Sequence, residues 1–205
     1  SNLITIGNYA FAENPELTEI DLSVAKKLET LGNYAFSDNS KLQKVTLPAS
    51  TSLTKIGDYA FNECHSMEYI IFDGEYDGYG EIEISDCAFG YTYYIRYIIG
   101  ARKSYIHDYA LNHNISFVGV GEYVDHETGF VYREDYNDYS KAIITGYLGT
   151  ELGFSSDLII PETIAGYGGY VNYEVVAIDD LAFAYNRRFT SVVIPKTVKE
   201  IGFAA

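Results

Sequence analysis

The sequence predicts a β-rich α/β right-handed solenoid, made of two repeat arrays joined by a β-hairpin insertion. A first motif places Ala-Phe four residues after an isoleucine or leucine that glycine often follows. Its complete and partial copies begin at Ile6, Leu31, Ile56, Ile84, Ile106, Ile178 and Ile201. A second motif of three apolar residues follows most copies, and its alternating end is typical of a strand with one buried face. One such strand in each unit of 22 to 28 residues indicates a stack of coils.

The residue types of the first motif indicate how neighbouring coils pack. The recurring alanine predicts a place where the coils come too close for a larger side chain. The phenylalanine after it is expected to fill the core between coils and to contribute about 1.5–3 kcal/mol by burial.

A short polar or thiol-bearing residue stands three positions beyond this phenylalanine. These residues are Asn14, Asn39, Cys64, Thr92 and Asn186. Stacked at a turn, they can satisfy backbone groups of adjacent coils, so we expect Cys64 to be structural. Cys87 replaces the tyrosine of other copies and is predicted to be a buried thiol.

The first array spans residues 1–121 and ends in a variant coil. The regular pattern fades after Gly100. Residues 104–120 are expected to form a shorter coil that places Phe117 and Val120 at strand positions. Such a coil suits a cap, because an open solenoid end must hide its apolar face.

Residues 122–150 depart from the repeat and predict a β-hairpin connector. Its strands are expected at residues 129–133 and 142–147, with the polar stretch 134–139 as the turn between them.

Residues 151–205 are expected to begin a second, truncated array, with strands at 158–161 and 173–178. The glycine-rich stretch 166–169 predicts an insertion that is either flexible or tightly turned. Ser1 opens almost in the middle of a motif and Ala205 stops inside one, so the chain is expected to be a piece of a longer protein.

The stretch from Leu53 to Cys64, Leu-Thr-Lys-Ile-Gly-Asp-Tyr-Ala-Phe-Asn-Glu-Cys, resembles the BspA-type leucine-rich repeat. Residues 191–202 resemble the strand-and-return portion of the same repeat. The resemblance covers about residues 1–121 and 151–205 and is specific for a leucine-rich repeat solenoid.

This resemblance implies a bacterial cell-surface or secreted protein. Some members attach to host extracellular-matrix proteins or to other cells. The expected function is therefore a non-catalytic, monomeric adhesion or protein-interaction module, with its ligand on the concave sheet or at the junction of the arrays. The alternatives are a structural spacer in a larger surface protein and a weak glycan-binding module.

Charge and hydropathy exclude several partners. The chain has 29 acidic and 14 basic residues, which gives a formal net charge of −15. A surface this negative repels phosphate backbones and anionic lipids, so we expect neither nucleic acid nor a membrane as partner. No apolar run approaches the ~18 residues of a membrane helix.

Nothing in the sequence points to catalysis, and no cofactor is expected. The four histidines, His65, His107, His113 and His126, show no recognisable metal-ligand spacing. His107 occupies the usual glycine position of the motif and is expected to be exposed at a turn. A nucleophile elbow, a phosphate loop and a dinucleotide fingerprint are all missing from the sequence.

Calcium is the one metal for which the sequence offers a candidate site. Residues 73–78 resemble the start of an EF-hand loop, and Glu81 stands at position nine of that loop. Position twelve is Ile84 rather than the required glutamate, so the simpler interpretation is an acidic insertion loop without a metal site.

The candidate protein-binding patch lies on the concave sheet. In its first two strands the outward residues are polar, whereas in the next two they are Tyr69, Ile71, Tyr97 and Ile99. Neighbouring exposed aromatic and aliphatic side chains suggest an interaction patch. The alternative is that the hairpin or a loop folds over these four residues and buries them.

Overall fold

The computed structural model describes residues 1–48, 52–73, 82–92, 95–102, 104–148, 156–166, 169–184, 186 and 188–205, with the backbone alone at Asp73. The chain divides into two compact units, Ser1–Val120 and Gly121–Ala205. Each unit has an apolar core of its own.

Two parallel sheets run through the first unit. The shorter sheet holds four strands in order, β1 (Thr5–Ile6), β3 (Thr30–Leu31), β5 (Lys55–Ile56) and β7 (Glu83–Ile84). The longer sheet holds β2 (Glu19–Asp21), β4 (Lys44–Pro48), β6 (Tyr69–Asp73), β8 (Tyr97–Gly100) and β9 (Phe117–Gly119). In the first four coils each coil supplies one strand to each sheet, which confirms the predicted solenoid.

Phenylalanines and alanines of successive coils fill the core as predicted. The rings of Phe11 and Phe36 stack with centroids 5.3 Å apart, and those of Phe36 and Phe61 with centroids 5.4 Å apart. Ala35 and Ala60 are completely buried. The stacked rings add about 0.5–1.5 kcal/mol per pair to the stabilisation from their burial.

The predicted ladder of short polar residues joins adjacent coils. The Asn39 amide donates hydrogen bonds to the carbonyl oxygens of Phe36, at 2.7 Å, and of Phe11, at 2.9 Å. The Cys64 thiol lies 3.3 Å from the Phe36 carbonyl oxygen, and the Cys64 amide donates to Thr92 Oγ1 at 3.2 Å. Cys64 is therefore structural, as expected, and its burial raises the pKa of its thiol to about 12.

Cys87 differs from its prediction, because its side chain is half-buried rather than buried. Its Sγ lies 3.2 Å from Ser85 Oγ and 3.7 Å from Asp58 Oδ1. The tyrosine that it replaces, such as Tyr59, also lies at the half-buried edge of the coil.

A second polar ladder brings the coils into very close backbone contact. The Asn33 amide donates to Asn8 Oδ1 at 2.8 Å, and the Asp58 amide donates to Asn33 Oδ1 at 3.0 Å. A Cβ atom added at Gly32 would lie only 2.6 Å from the Asn8 nitrogen. Gly7 occupies the same motif position in the first coil, and a Cβ there would meet nothing within 4 Å.

The tyrosine of the first motif adopts a left-handed backbone. The φ angles of Tyr9, Tyr34 and Tyr59 are 58°, 55° and 54°. Their rings stack at centroid distances of 4.9 and 5.1 Å. Because a bulky residue rarely adopts a positive φ, this ring stack helps to offset the cost of the turn.

The fifth copy of the motif forms a helix, α1 (Tyr105–Asn112), instead of a turn. Ser104 caps it, since its Oγ accepts a hydrogen bond from the His107 amide at 3.3 Å. The expectation that His107 is exposed is wrong: it is 2% exposed, with its ring centroid 4.5 Å from that of Phe117. The helix places this imidazole next to the buried ring of Phe117.

The variant coil of residues 104–120 matches its prediction at one of its two strand positions. Phe117 begins β9 and is buried, as predicted. Val120 lies just beyond the strand, which ends at Gly119, and is 41% exposed. The assignment of Val120 to a strand position is therefore wrong.

The second unit contains the predicted hairpin. Its two antiparallel strands are β11 (Phe130–Asp135) and β12 (Asp138–Tyr147), and β10 (Tyr123–Val124) pairs with β11. Both strands reach further into the predicted turn than the sequence indicated.

Strand β12 also takes the place of a coil strand. It pairs in parallel with β15 (Asn172–Ile178), which pairs in parallel with β17 (Glu200–Ile201). Ile144, Ile178 and Ile201 are register partners, as Ile6 and Leu31 are in the first unit. The hairpin thus supplies the first of the three parallel strands β12, β15 and β17. The predicted division of the chain into three domains stays a prediction.

The strands predicted at residues 158–161 and 173–178 are found at Asp157–Ile159 and Asn172–Ile178, and a further strand at Thr163–Ala165 was not predicted. Strand β13 (Asp157–Ile159) pairs in parallel with β16 (Ser191–Val193), and β14 (Thr163–Ala165) pairs in antiparallel fashion with β15. Between β14 and β15, the Gly166 amide donates to the Val171 carbonyl oxygen at 2.6 Å. The glycine-rich insertion is therefore turned tightly at its described ends, and its residues 167 and 168 lie outside the described residues.

Candidate interaction surface

The outer face of the five-stranded sheet carries two rows of side chains. The strand register places Glu19, Lys44, Tyr69 and Tyr97 in the first row, and Asp21, Thr46, Ile71, Ile99 and Val118 in the second. Side chains alternate along a strand, so the residues between the two rows face the core. Of those inward residues, Val45, Ile70 and Ile98 are at most 1% exposed, whereas Ile20 in the first strand is half-buried. A tightly packed core therefore fixes the backbone of β4, β6 and β8 beneath both rows.

Tyr69 and Tyr97 form a ring pair at the end of the first row. Their centroids are 5.2 Å apart and their planes are inclined by 46°. A side-chain hydrogen bond with Glu68, and then burial, raise the pKa of Tyr69, while burial is the main cause of the raised pKa of Tyr97. Both phenols therefore stay protonated at neutral pH, and the Tyr69 phenol donates its hydrogen bond to Glu68.

Ile71 and Ile99 are register partners in the second row, on the same two strands as the ring pair. We call Tyr69, Ile71, Tyr97 and Ile99 the tyrosine–isoleucine quartet. All four side chains are half-buried, so none is covered completely. Val118, the next residue of the second row, is 4% exposed. The quartet is thus brought together as predicted, and its role in binding stays a prediction.

The opposite end of the face is charged. Lys44 Nζ lies 2.7 Å from Glu19 Oε1, so these two side chains form an ion pair across neighbouring strands. Asp21 is exposed and accepts a hydrogen bond from the Ser23 amide at 2.9 Å. The side-chain and backbone hydrogen bonds of Ser23 lower the pKa of Asp21, which keeps this carboxylate charged at neutral pH.

A second ion pair, which the sequence pattern did not reveal, borders the ring pair. Arg96 Nε lies 3.9 Å from Glu68 Oε2, and the two residues immediately precede Tyr97 and Tyr69. Their opposite charges at the same position of neighbouring repeats could have predicted this ion pair from the sequence. The ring pair therefore has a polar rim beside an apolar centre, as protein interfaces commonly do.

Two of the four histidines lie beside one acidic side chain each. His65 lies 2.9 Å from Glu63, and His113 lies 3.5 Å from Asp86. Over the described ranges, no group of three or more His, Cys, Asp and Glu side chains is placed to hold a metal ion. The EF-hand-like stretch lies outside the described residues beyond Asp73.

No helix in the described part of the chain is long and apolar enough to cross a membrane.

Comparison with protein families gives a match to the BspA type leucine rich repeat region. It matches in six copies, over residues 1–118 and 171–205, which is most of the chain. Among curated proteins, none matches the chain.

Two solved structures are similar to the chain over nearly its whole length. One is a leucine rich cell surface protein from Faecalibacterium prausnitzii, with 15% identity, a TM-score of 0.29, and coverage of 97% of this chain and 60% of that one. The other is a leucine-rich repeat protein from Bacteroides ovatus, with 15% identity, a TM-score of 0.25, and coverage of 98% of this chain and 57% of that one. The chain therefore spans less than two thirds of either solved protein.

Proposed function

Because the chain belongs to the BspA-type leucine-rich repeat family, we propose that it is a non-catalytic adhesion module that binds a protein outside the cell. Of the two surfaces expected from the sequence, we propose the face of the five-stranded sheet that carries the quartet. The ligand class would be a host extracellular-matrix or cell-surface protein.

The observation that carries this proposal is the quartet itself. Two tyrosines and two isoleucines lie in register on adjacent strands and keep part of their surface exposed. Tyrosine is over-represented among the residues that dominate binding energy, and here its rings are held by a core that is already packed. Little side-chain or backbone freedom would be lost on binding, which favours affinity.

Direct binding measurements test the proposal. The chain would be immobilised and exposed to purified collagens, laminins and fibronectin, and to whole host cells. We expect saturable binding to at least one of them. The double substitution Tyr69→Ser and Tyr97→Ser should weaken that binding at least tenfold, because it removes both aromatic anchors.

The matched control is the double substitution Glu19→Gln and Lys44→Gln. It alters the same row of the same sheet and leaves both the quartet and the net charge unchanged. We expect this variant to bind within about twofold of the wild type, since exposed ion pairs contribute little. Thermal unfolding followed by circular dichroism would show that both variants are folded.

Two outcomes oppose the proposal. Binding that survives loss of both tyrosines would move the ligand site to another surface. A chain that binds neither proteins nor cells would favour the alternative of a structural spacer, and a glycan array would test the glycan-binding alternative.

The location and the oligomeric state are part of the same proposal. An adhesion module has to be displayed outside the cell, so protease treatment of intact producing cells should release peptides of this chain. Light scattering should give the mass of a monomer.

A further inference from the structure

Building on the proposed function, we infer that the partner of the quartet is a cationic protein segment, which sets an apolar side chain on the quartet and a lysine or arginine against Asp21. The observations behind this inference are the distribution of charge on the face and the spacing of its second row.

Two cations described beside these rows already lie next to acids. Lys44 is paired with Glu19 at 2.7 Å, and Arg96 lies 3.9 Å from Glu68. Asp21 is exposed and is the one acid of the second row. Lys44 on the neighbouring strand attracts it at longer range, but the ion pair of Lys44 is made with Glu19. A partner's cation can therefore approach the Asp21 carboxylate directly.

The strand register fixes the distance from Asp21 to the apolar centre. Ile71 lies two strands away from Asp21 in the second row, and Ile99 lies three strands away. With about 4.8 Å between neighbouring strands, these separations are about 10 and 14 Å. An extended segment that crosses the strands places its residues i and i+4 about 13 Å apart on one side. One such segment can therefore contact Ile99 and Asp21 together.

The charge of the whole chain favours the same partner. A formal net charge of −15 attracts cations over distances longer than a hydrogen bond and raises the association rate of a basic partner. The same negative charge would repel an acidic segment that approached the quartet.

Peptide selection tests the inference and does not require the natural ligand. A linear peptide library displayed on phage would be selected on the wild-type chain. Clones that also bind the Tyr69→Ser and Tyr97→Ser double variant would be removed. We expect the remaining, face-dependent peptides to be rich in lysine or arginine together with aliphatic or aromatic residues.

Affinities of the synthesised peptides would then be measured for Asp21→Asn, which keeps the acceptor for the Ser23 amide and removes the charge. We expect about two- to fivefold weaker binding, the range for an exposed ion pair, and a smaller loss of affinity with added salt than in the wild type. Glu13→Gln is the matched control, because it changes the net charge equally on an exposed turn residue outside the sheet. It should leave affinity almost unchanged.

The outcomes separate the two proposals. If no face-dependent peptide is recovered, the proposed function of this face fails. If such peptides are recovered but are neutral or acidic, or if they bind Asp21→Asn as tightly as wild type, protein binding at the face stands and the cationic partner is refuted. Equal losses for Asp21→Asn and Glu13→Gln would likewise reduce the effect to overall charge.

Discussion

Substitution of Gly32 by alanine should destabilise the chain, whereas the same substitution of Gly7 should stabilise it slightly. Both glycines follow the first residue of the motif, and neither has a positive φ, so alanine fits the backbone conformation at either position. They differ in what lies opposite. A new Cβ at Gly32 would meet the backbone of the previous coil, and a new Cβ at Gly7 would meet open space.

The contact distances set the size of the effect. The Cβ introduced by Gly32→Ala would lie 2.6 Å from the Asn8 nitrogen and 2.7 Å from the Gly7 carbonyl carbon, both backbone atoms that cannot rotate away. The two coils must separate, and this stretches the hydrogen bond from the Gly32 amide to the Ile6 carbonyl oxygen, now 2.8 Å. Overpacking of this kind typically costs about 1–3 kcal/mol. At Gly7 the new methyl group meets no atom, and its effect is to lower the conformational entropy of the unfolded chain. This stabilises the folded chain by about 0.4–1 kcal/mol.

Urea unfolding followed by far-ultraviolet circular dichroism measures both variants against the wild type. The second unit is identical in all three proteins, so its contribution cancels when midpoints are compared. The opposite signs of the two changes are the decisive result. Equal destabilisation by both substitutions would refute the close approach of the coils. Gly57 faces the Asn33 backbone in the same way, so Gly57→Ala should destabilise the chain as Gly32→Ala does.

Further predictions concern the core, the thiols and the response to pH. Phe36→Ala should cost about 3–5 kcal/mol in urea unfolding, the range for a buried aromatic ring, and Phe11→Ala clearly less because Phe11 is 48% exposed; a loss below ~1 kcal/mol at Phe36 would contradict the stacked core. Iodoacetamide at pH 8 should label Cys87 in the folded chain and Cys64 only after unfolding, which peptide mass spectrometry would show; rapid native labelling of Cys64 would contradict its burial. Burial raises the pKa of Tyr132 to about 12, so its stabilising effect is complete below pH ~10, the unfolded value, and is lost as the pH rises towards 12. The free energies of unfolding of Tyr132→Phe and the wild type, measured in urea, should therefore differ less at pH 11 than at pH 9. A difference that is the same at both pH values would contradict this.

Most of the first unit could be predicted because its repeats are regular. Copies of the motif that begin at Ile6, Leu31 and Ile56 are 25 residues apart, so side chains of one type are stacked on each other coil after coil. The stacked phenylalanines and the role of Cys64 follow from this spacing alone. The quartet could be placed on one face for the same reason, since alternation along each strand fixes which side chains point outward.

Predictions failed where local sequence competes with the repeat. At residues 105–112 the motif pattern is present in weakened form, but Ser104 is a helix cap and the motif's glycine is replaced by His107, so a helix forms and buries the imidazole. The parallel pairing of β12 with β15 in the second unit was also not predicted. Ile144 is not followed by Ala-Phe, and only the pairing with β15 reveals its position.

Half-exposure of the quartet could not be predicted, because it depends on which segments cover the sheet. Sequence alternation distinguishes inward from outward residues, but it does not show whether an outward residue is covered. The same holds for Cys87, whose exposure depends on the packing of its turn next to Asp58 and Ser85.

The alternation of buried and outward residues in the five-stranded sheet has a consequence for how such proteins diversify. Each of the first four coils adds two outward side chains and lengthens the face by about 4.8 Å, while the residue between them stays in the core. Selection can therefore rewrite the recognition surface at positions such as 69 and 71 while Ile70 and the folding of the coil are left alone. Duplication of one coil would add two new outward positions in register with the old ones, so a larger ligand could be matched without a new fold.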